Sequence, residues 1–317
     1  MPKLGEFEII ERFFARAVAD PAVRVGIGDD AAIVATEGEI AVAVDTLVAG
    51  THFPADLAAD AIGHRALAVN LSDLAAVGAK PRFATLALCL KQADPDWLGG
   101  FAAGFFRLAE RHGVSLIGGD TTKGPLIVTV GVIGDAPRTP LLRSGGRPGD
   151  RIFVSGTVGD AAAGLEQLAA RTAQAGAAAR ALIERFRYPE PRVALGRALA
   201  GLAHAAIDVS DGLAADLAHL CRLSGCGAVI DLGALPLSEP LRALYAIEDA
   251  ETLALSGGDD YELCFAVAPA DVGRVRDIAA RIGTPVSEIG ELEPGGAIEG
   301  RRDGRPVALA AAGYVHF

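Results

Sequence analysis

The sequence has few cysteines, few aromatic residues and fewer basic than acidic side chains. Its 29 Lys and Arg residues stand against 40 Asp and Glu residues, which gives a formal net charge of −11. This sign argues against a general surface for nucleic acid, which requires positive charge. The four cysteines form no CxxC pair and lie mostly in apolar runs, so we expect buried thiols in a reducing compartment.

Long hydrophobic segments and the common nucleotide-binding motifs are also missing. No stretch reaches membrane-spanning length, and the opening "MPKLGEFEIIERFF" mixes acids with apolar residues, unlike a secretory signal. We therefore expect a cytoplasmic protein that does not bind membranes. Neither GxxxxGK[ST] nor GxGxxG occurs, so any nucleotide must be held by a different arrangement.

The length of 317 residues and the hydrophobic content of 51% predict a large core divided between two domains. Two strand-like runs, "EIAVAVDTLVAG" and "RFATLALCLKQ", bracket a segment with helical apolar spacing. The Pro-, Gly- and Arg-rich residues 135–150 indicate a connection, after which "RIFVSG" begins a second unit. The fold class is predicted to be α/β (α+β).

Acidic residues follow apolar strands at five places in the chain. In open α/β sheets ligands bind at strand ends, so such acids can converge on one crevice. Asp29 and Asp30 are adjacent, which fits either a solvated turn or a cation site. The five motifs are "GIGDD" (26–30), "AVAVD" (41–45), "LIGGD" (116–120), "AAIDVSD" (205–211) and "LSGGDD" (255–260).

Asp73 is the most informative single acid, because it lies on an otherwise apolar helix with Asn70 on the same face. A buried carboxylate needs a partner, so a salt bridge and a metal are the two interpretations, and the other acids favour the metal. Asp208 and Asp211 precede another helix, where N-capping would satisfy one of them and leave the other unexplained. Oxygen donors without clustered His or Cys indicate Mg²⁺ rather than Zn²⁺.

Three further features bear on the site, and two of them, Arg143 and His52, allow two interpretations each. In the motif "GGDTTKG" (118–124) the glycines have no side chain, so their backbone N–H groups can come close to a phosphate. Arg143 lies on the connection and is either a phosphate contact or a solvated linker residue. His52 is near Asp45 in sequence and is either a site residue or a structural histidine.

The ordered motifs "GEFEII", "GIGDDAA", "DTLVAGTHF", "ALAVNLSDLAAVGAKP", "LIGGDTTKGPL", "RSGGRPGDRIFVSG", "AIDVSDGL" and "LSGGDDYELCF" resemble the thiamine-monophosphate kinases. The resemblance runs from about residue 5 to the final "GYVHF". It implies a two-domain PurM-like fold, with an ATP- and Mg²⁺-binding dimerisation domain at 1–137. A C-terminal domain at 138–317 would complete the nucleotide and substrate site. The implied reaction, the last step of thiamine diphosphate biosynthesis, converts ATP and thiamine monophosphate into ADP and thiamine diphosphate in a homodimer.

The resemblance also implies roles for individual residues. The metal ligands would be Asp30, Asp45, Asp73, Asp120, Asp208 and Asp211. The ATP contacts would be Gly119, Asp120, Arg143 and Ser210, and the substrate contacts His52, Asp259 and Tyr314. Three positions depart from the family pattern: Ala43 and Val44 replace a frequent Ser-Thr pair, and Asp259 replaces a glutamate.

The acceptor chemistry indicates how such acids would work. A phosphate monoester is already anionic near pH 7, so it needs no general base. Two phosphates must instead approach each other, and several Mg²⁺ ions would offset their repulsion during direct in-line transfer. We therefore expect no protein nucleophile. The alternatives are another ATP-using member of the same superfamily, or a non-catalytic protein that binds a divalent cation or a nucleotide.

Overall fold

The computed structural model describes residues 5–16, 18, 20–28, 31–170, 176–307 and 309. The chain divides into two compact units, the first formed by residues 1–74 and 79–136 and the second by residues 75–78 and 137–317. Each unit combines helices with a β-sheet, in agreement with the predicted fold class. Within the described residues, no helix is both long enough and apolar enough to cross a membrane.

The first unit begins with α1 (Glu6–Ile9), which continues into a π-helical turn at Ile10–Phe14. Its other helices are α2 (Ala59–Ala76) and α3 (Pro95–His112). Its strands are β1 (Val23–Val25), β2 (Ile33–Val34), β3 (Ile40–Val48), β4 (Lys80–Leu90), β5 (Ser115–Lys123) and β6 (Ile127–Asp135).

Local signals explain where α3 begins and ends. The Asp94 side chain accepts a hydrogen bond from the Asp96 backbone N–H, and Pro95 occupies the first helical turn. Gly113 ends the helix in the left-handed conformation, with φ of 66°. The segment predicted to be helical before Gly78 is α2, which confirms that prediction.

The four longer strands form a sheet in the order β3-β6-β4-β5. Strand β6 is antiparallel to both of its neighbours, whereas β4 and β5 are parallel. Successive side chains of β6 alternate between the two faces, and Val128, Val130 and Val132 on one face are fully buried. The other face is open at β3, where Val42 and Val44 are each 65% exposed.

The second unit contains a seven-stranded sheet in the order β13-β12-β9-β11-β7-β10-β8. Its strands are β7 (Arg151–Ser155), β8 (Ala205–Val209), β9 (Gly227–Asp231), β10 (Glu262–Val267), β11 (Val286–Glu293), β12 (Ile298–Arg302) and β13 (Arg305–Val307). Its helices are α4 (Asp160–Ala169), α5 (Ala177–Arg187), α6 (Val193–Leu199), α7 (Leu213–Ser224), α8 (Glu239–Leu244), α9 (Ile247–Ser256) and α10 (Val272–Ile282), with 3₁₀ turns at Leu232–Ala234 and Pro269–Asp271.

The core of the second unit lies around the central strands. The Phe153 and Phe265 rings stack at 5.6 Å between centroids, and both side chains are fully buried. Cys221, Cys226 and Cys264 are buried, and Cys89 of the first unit is partly buried. All four are free thiols, and the burial expected from the sequence holds for three of them but not for Cys89.

Candidate functional site

In the first unit, α2 and β3 bring together residues that lie far apart in sequence. The fully buried Asn70 side chain accepts a hydrogen bond from the Asp45 backbone N–H at 3.0 Å through Oδ1. Its amide Nδ2 donates to the Ala66 carbonyl of the same helix at 3.0 Å. Asp73 lies three residues after Asn70, on the same helix face, and is partly buried.

His52 is close to Asp45 in the structure as well as in the sequence. Its ring Nδ1 accepts a hydrogen bond from the Val48 backbone N–H at 3.0 Å, so the proton of the neutral ring is on Nε2. Burial raises the pKa of Asp45, and the nearby His52 lowers it in part. A carboxylate with a raised pKa is one whose charged form the folded protein stabilises poorly, so a cation at this position would relieve that cost.

Gly119 and Asp120 lie on the outer strand β5. Gly119 has φ of 151°, and a Cβ there would lie 1.8 Å from the Leu86 carbonyl oxygen. Only glycine therefore fits between the two parallel strands at this position. Asp120 is exposed and follows this close contact directly.

A cavity of about 500 Å³ lies beside this stretch of β5. Phe7, Ile10 and Phe14 form its apolar side, and Gly119 and Asp120 contribute to its polar side. A cavity with apolar walls and a few polar groups is the usual form of a small-molecule site. The lining also includes Gly28 and Ala31, which flank the predicted ligand Asp30 in sequence.

Strand β8 of the second unit ends in a loop organised by one carboxylate. Asp216 Oδ2 accepts backbone N–H bonds from Ser210, Asp211 and Gly212 at 2.9, 3.0 and 3.2 Å. Helix α7 follows with Gly212 as its N-cap and no capping side chain. The N-capping role that the sequence allowed for Asp208 or Asp211 is therefore not observed.

The acids around this loop disfavour the charged form of Asp216. Asp208 and Asp216 are 4% and 3% exposed. Burial and the nearby Asp208 carboxylate raise the pKa of Asp216 to about 7, while the N–H groups of Asp211 and Ser210 oppose that rise. Two buried carboxylates close enough for one to raise the pKa of the other form an environment suited to a cation.

The "GGDDY" turn, residues 257–261, lies against the same loop. The Asp259 N–H donates to the Ser210 carbonyl at 2.9 Å, and the Tyr261 N–H donates to the Val209 carbonyl at 2.8 Å. A Cβ on Gly258 would lie 2.4 Å from the Ser210 carbonyl oxygen, so glycine permits this approach. The structure thus brings together two of the predicted site residues of this unit, Ser210 and Asp259.

A buried ionic network begins one residue after this turn. Glu262 is 0% exposed, and its carboxylate accepts from Arg192 Nε at 2.6 Å and from Arg185 Nη2 at 2.8 Å. Ser155 Oγ donates to the same carboxylate at 2.5 Å. Three segments of the chain therefore fix the start of β10.

Asp260 lies within the turn and contacts the start of α4. Its carboxylate accepts the Gly159 and Ala161 backbone N–H groups at 2.7 and 3.2 Å. Complete burial raises the pKa of Asp260 well above its usual value, and these two N–H groups and Arg185 oppose that rise. Asp260 and Glu262 thus fix the position of the turn through their buried contacts. The sequence analysis assigned a role to neither residue.

The segment carrying Arg143 is held by its backbone. Ser224 Oγ donates to the Arg143 carbonyl at 3.1 Å and accepts from the Gly146 N–H at 3.1 Å. The Arg143 residue is exposed. The predicted metal ligand Asp30 and substrate contact Tyr314 lie outside the described residues.

No group of three His, Cys, Asp or Glu side chains in the described part of the chain forms a ready metal site. Mg²⁺ differs from Zn²⁺ in this respect, because it keeps several waters and binds through one or two carboxylates together with substrate phosphates. The oxygen donors Asp45 and Asp208, each near another titratable side chain, fit that kind of coordination.

Sequence reasoning did not find Asp216, Asp260 or Glu262. A signal for Asp216 was present, because an acid in the first turn of a helix can accept from the preceding backbone N–H groups. Asp260 and Glu262 belong to the quoted motif, but their partners Arg185 and Arg192 come from other segments without a local signal.

Comparison with known proteins gives matches along the whole chain. Residues 28–136 match the family described as AIR synthase related protein, N-terminal domain, and residues 147–303 match its C-terminal domain. The thiamine-monophosphate kinase of Escherichia coli (strain K12) is 46% identical over 321 residues, covering 99% of this chain and 98% of that protein.

Two solved structures extend the comparison to the fold. The thiamine-monophosphate kinase from Stenotrophomonas maltophilia K279a matches with a TM-score of 0.88 at 43% identity, over 96% of this chain and 98% of that one. AaThiL, solved in complex with AMPPCP and TMP, matches with a TM-score of 0.78 at 30% identity, over 99% and 97%. These matches confirm the two-domain PurM-like fold expected from the sequence.

Proposed function

The chain belongs to the thiamine-monophosphate kinase family of AIR synthase related proteins, and we propose that it transfers the γ-phosphate of ATP to thiamine monophosphate. The products are ADP and thiamine diphosphate. The observation that carries this proposal is full-length similarity to a structure that holds both AMPPCP and TMP.

The cavity of the first unit is the proposed binding site of the nucleotide. We propose that its apolar side, with Phe7 and Phe14, receives the adenine base. Backbone N–H groups near Gly119 then face the phosphates, and Asp120 faces them through a cation. Arg143 and Ser210 are the further proposed ATP contacts.

The acids of each unit support a role for magnesium. We propose that Asp45, Asp73 and Asp120 in the first unit and Asp208 and Asp211 in the second bind Mg²⁺, together with Asp30. Bound Mg²⁺ would neutralise the donor and acceptor phosphates, whose mutual repulsion otherwise opposes transfer. The protein itself orients the two phosphates in line and supplies neither a nucleophile nor a base, so the configuration at a chiral γ-phosphorus should be inverted.

The test of the proposed function is formation of ADP by the purified chain with ATP and Mg²⁺, in the presence and absence of thiamine monophosphate. Thiamine diphosphate should appear in equal amount to ADP, and ADP should form slowly without the acceptor. A cation- or nucleotide-binding protein without catalysis would form no ADP in either reaction. Another superfamily enzyme would release ADP without producing thiamine diphosphate.

We predict that Mg²⁺ together with AMPPCP raises the thermal unfolding midpoint of the protein by about 5–10 °C at saturation. A ligand at 100 times its Kd adds about 2.7 kcal/mol to the stability of the folded state, and a domain of this size gains about 2–4 °C per kcal/mol. Differential scanning fluorimetry measures the shift. The control replaces Mg²⁺ by K⁺ at equal ionic strength, and an equal shift in both would contradict the magnesium proposal.

We further propose that two copies pair through the open face of the first sheet. Ile40, Val42 and Val44 on β3 are 47%, 65% and 65% exposed, and a contiguous apolar row of this kind usually marks an interface. The double variant Val42→Asp/Val44→Asp should therefore convert a dimer into a monomer in light scattering coupled to gel filtration. The control is Leu244→Asp on α8, where Leu244 is 45% exposed and lies in the other unit. A wild-type monomer, or an unchanged dimer in the double variant, would contradict the proposal.

A further inference from the structure

The turn at residues 257–261 contains two non-glycine residues in the left-handed backbone region. Asp259 has φ of 71° and Tyr261 has φ of 51°. Each such residue costs free energy that the surrounding structure must supply, and residues of this kind concentrate at functional sites. The strain lies at Asp259, for which the family resemblance implies a substrate contact, and at the tyrosine two positions after it.

Tyr261 holds this turn in two ways. Its backbone N–H donates to the Val209 carbonyl at 2.8 Å, which ties the turn to the end of β8. Its hydroxyl donates to Asp259 Oδ1 at 3.1 Å. The Tyr261 residue is only 8% exposed, so its ring has little freedom to move and its hydroxyl stays close to Asp259.

The hydrogen bond from Tyr261 matters because Asp259 departs from the family pattern. Asp259 stands where the family often has a glutamate, and its carboxylate reaches one methylene less far. A shorter side chain has less reach with which to correct a poor starting direction, so a neighbour that fixes the direction of the carboxylate matters more. The Asp259 N–H is already bound to the Ser210 carbonyl, and the Tyr261 hydroxyl adds a contact on the carboxylate itself.

We propose that Tyr261 is a positioning residue that directs the Asp259 carboxylate toward the organic, cation-bearing part of the substrate. A carboxylate repels a phosphate, so its direct partner on thiamine monophosphate is the positively charged ring portion rather than the phosphate. This inference rests on the proposed function. It adds a residue that acts through another and does not itself touch the substrate.

The first experiment compares Tyr261→Phe with wild type in steady-state kinetics. The lost hydrogen bond is one to a charged group, so its removal should raise KM for thiamine monophosphate about tenfold or more. KM for ATP and kcat should change by less than about twofold, because this hydrogen bond orients a substrate contact only. An equal rise of both KM values together with a lower unfolding temperature would indicate a purely structural role and overturn the inference.

The matched control is Tyr245→Phe. The Tyr245 hydroxyl also donates to a carboxylate, Glu166 Oε2, at 2.8 Å, and it lies outside the turn and the loop at residues 210–212. The same chemical change should leave all three kinetic constants unchanged there. A matching rise in KM for thiamine monophosphate in Tyr245→Phe would overturn the inference.

A double-mutant cycle with Asp259→Asn separates the possible failures. Asp259→Asn should raise KM for thiamine monophosphate, and adding Tyr261→Phe should cause no further rise. If Asp259→Asn has its effect and Tyr261→Phe has none, or if the effects add, the inference fails and the substrate role of Asp259 stands. If Asp259→Asn has no effect on KM, both the substrate role of Asp259 and the inference about Tyr261 fail. If the wild-type chain forms no thiamine diphosphate, the proposed function fails and the inference fails with it.

Discussion

Replacing Asp73 by asparagine is expected to lower kcat by about a thousandfold, because metal stabilisation of transition-state charge supplies several kcal/mol. Asparagine keeps the shape of the side chain and removes its negative charge. Asp73 is partly buried on α2, one turn after Asn70, which binds the backbone of Asp45. The fold should therefore persist while the proposed magnesium site loses a ligand.

Two measurements make this prediction specific. Raising the Mg²⁺ concentration should restore part of the activity, since a weakened site fills at higher concentration. The matched control is Asp277→Asn, because Asp277 is an exposed aspartate on helix α10. Circular dichroism and thermal unfolding should be unchanged in both variants. Near-normal turnover of Asp73→Asn at low Mg²⁺ would show that Asp73 does not bind the metal.

Replacing Arg192 by methionine should destabilise the second unit by about 3–5 kcal/mol, the usual cost of removing one partner from a buried ion pair. Arg192 donates two hydrogen bonds to the fully buried Glu262, at 2.6 and 2.5 Å. Methionine fills similar volume but leaves part of the Glu262 charge uncompensated. Urea unfolding followed by circular dichroism measures the loss.

The chain offers internal controls for this experiment. The single tryptophan, Trp97, lies on α3 in the first unit, so its fluorescence follows that unit separately. The exposed pair Arg276–Glu288 is a matched surface contact, and Arg276→Met should change stability by no more than about 1 kcal/mol. In the Arg192→Met background, Glu262→Gln should recover part of the loss. If Arg192→Met unfolds at the wild-type urea concentration, the network does not stabilise this unit.

The sequence predicted those parts of the fold that depend on local pattern. The strand-like apolar run "EIAVAVDTLVAG" predicted β3, and the helical apolar spacing of the segment that follows it predicted α2. The order of the strands was not predictable in this way. Strand β3 pairs with β6 rather than with β4, the next long strand, because sheet order depends on contacts between distant segments.

The candidate site likewise contains residues that the sequence indicated and contacts that it did not indicate. Acids at strand ends form visible motifs, and the resemblance assigned roles to Asp45, Asp208 and Asp259 one by one. The hydrogen bond from Tyr261 to Asp259 required backbone angles that no sequence pattern specifies. The ion pairs of Glu262 join β10 to α5 and to the residue before α6, so neither partner predicts the other.

The pairing of β3 with β6 has a consequence during synthesis on the ribosome. Val48 pairs with Ile127, and Ile40 pairs with Asp135. The hydrogen bonds of β3 can therefore form only after about 80 or more further residues have left the ribosome. During that interval the nascent chain displays an unpaired apolar strand, which is the kind of segment that holdase chaperones recognise and that otherwise aggregates. Premature termination anywhere before residue 127 therefore releases a fragment that cannot complete its first sheet.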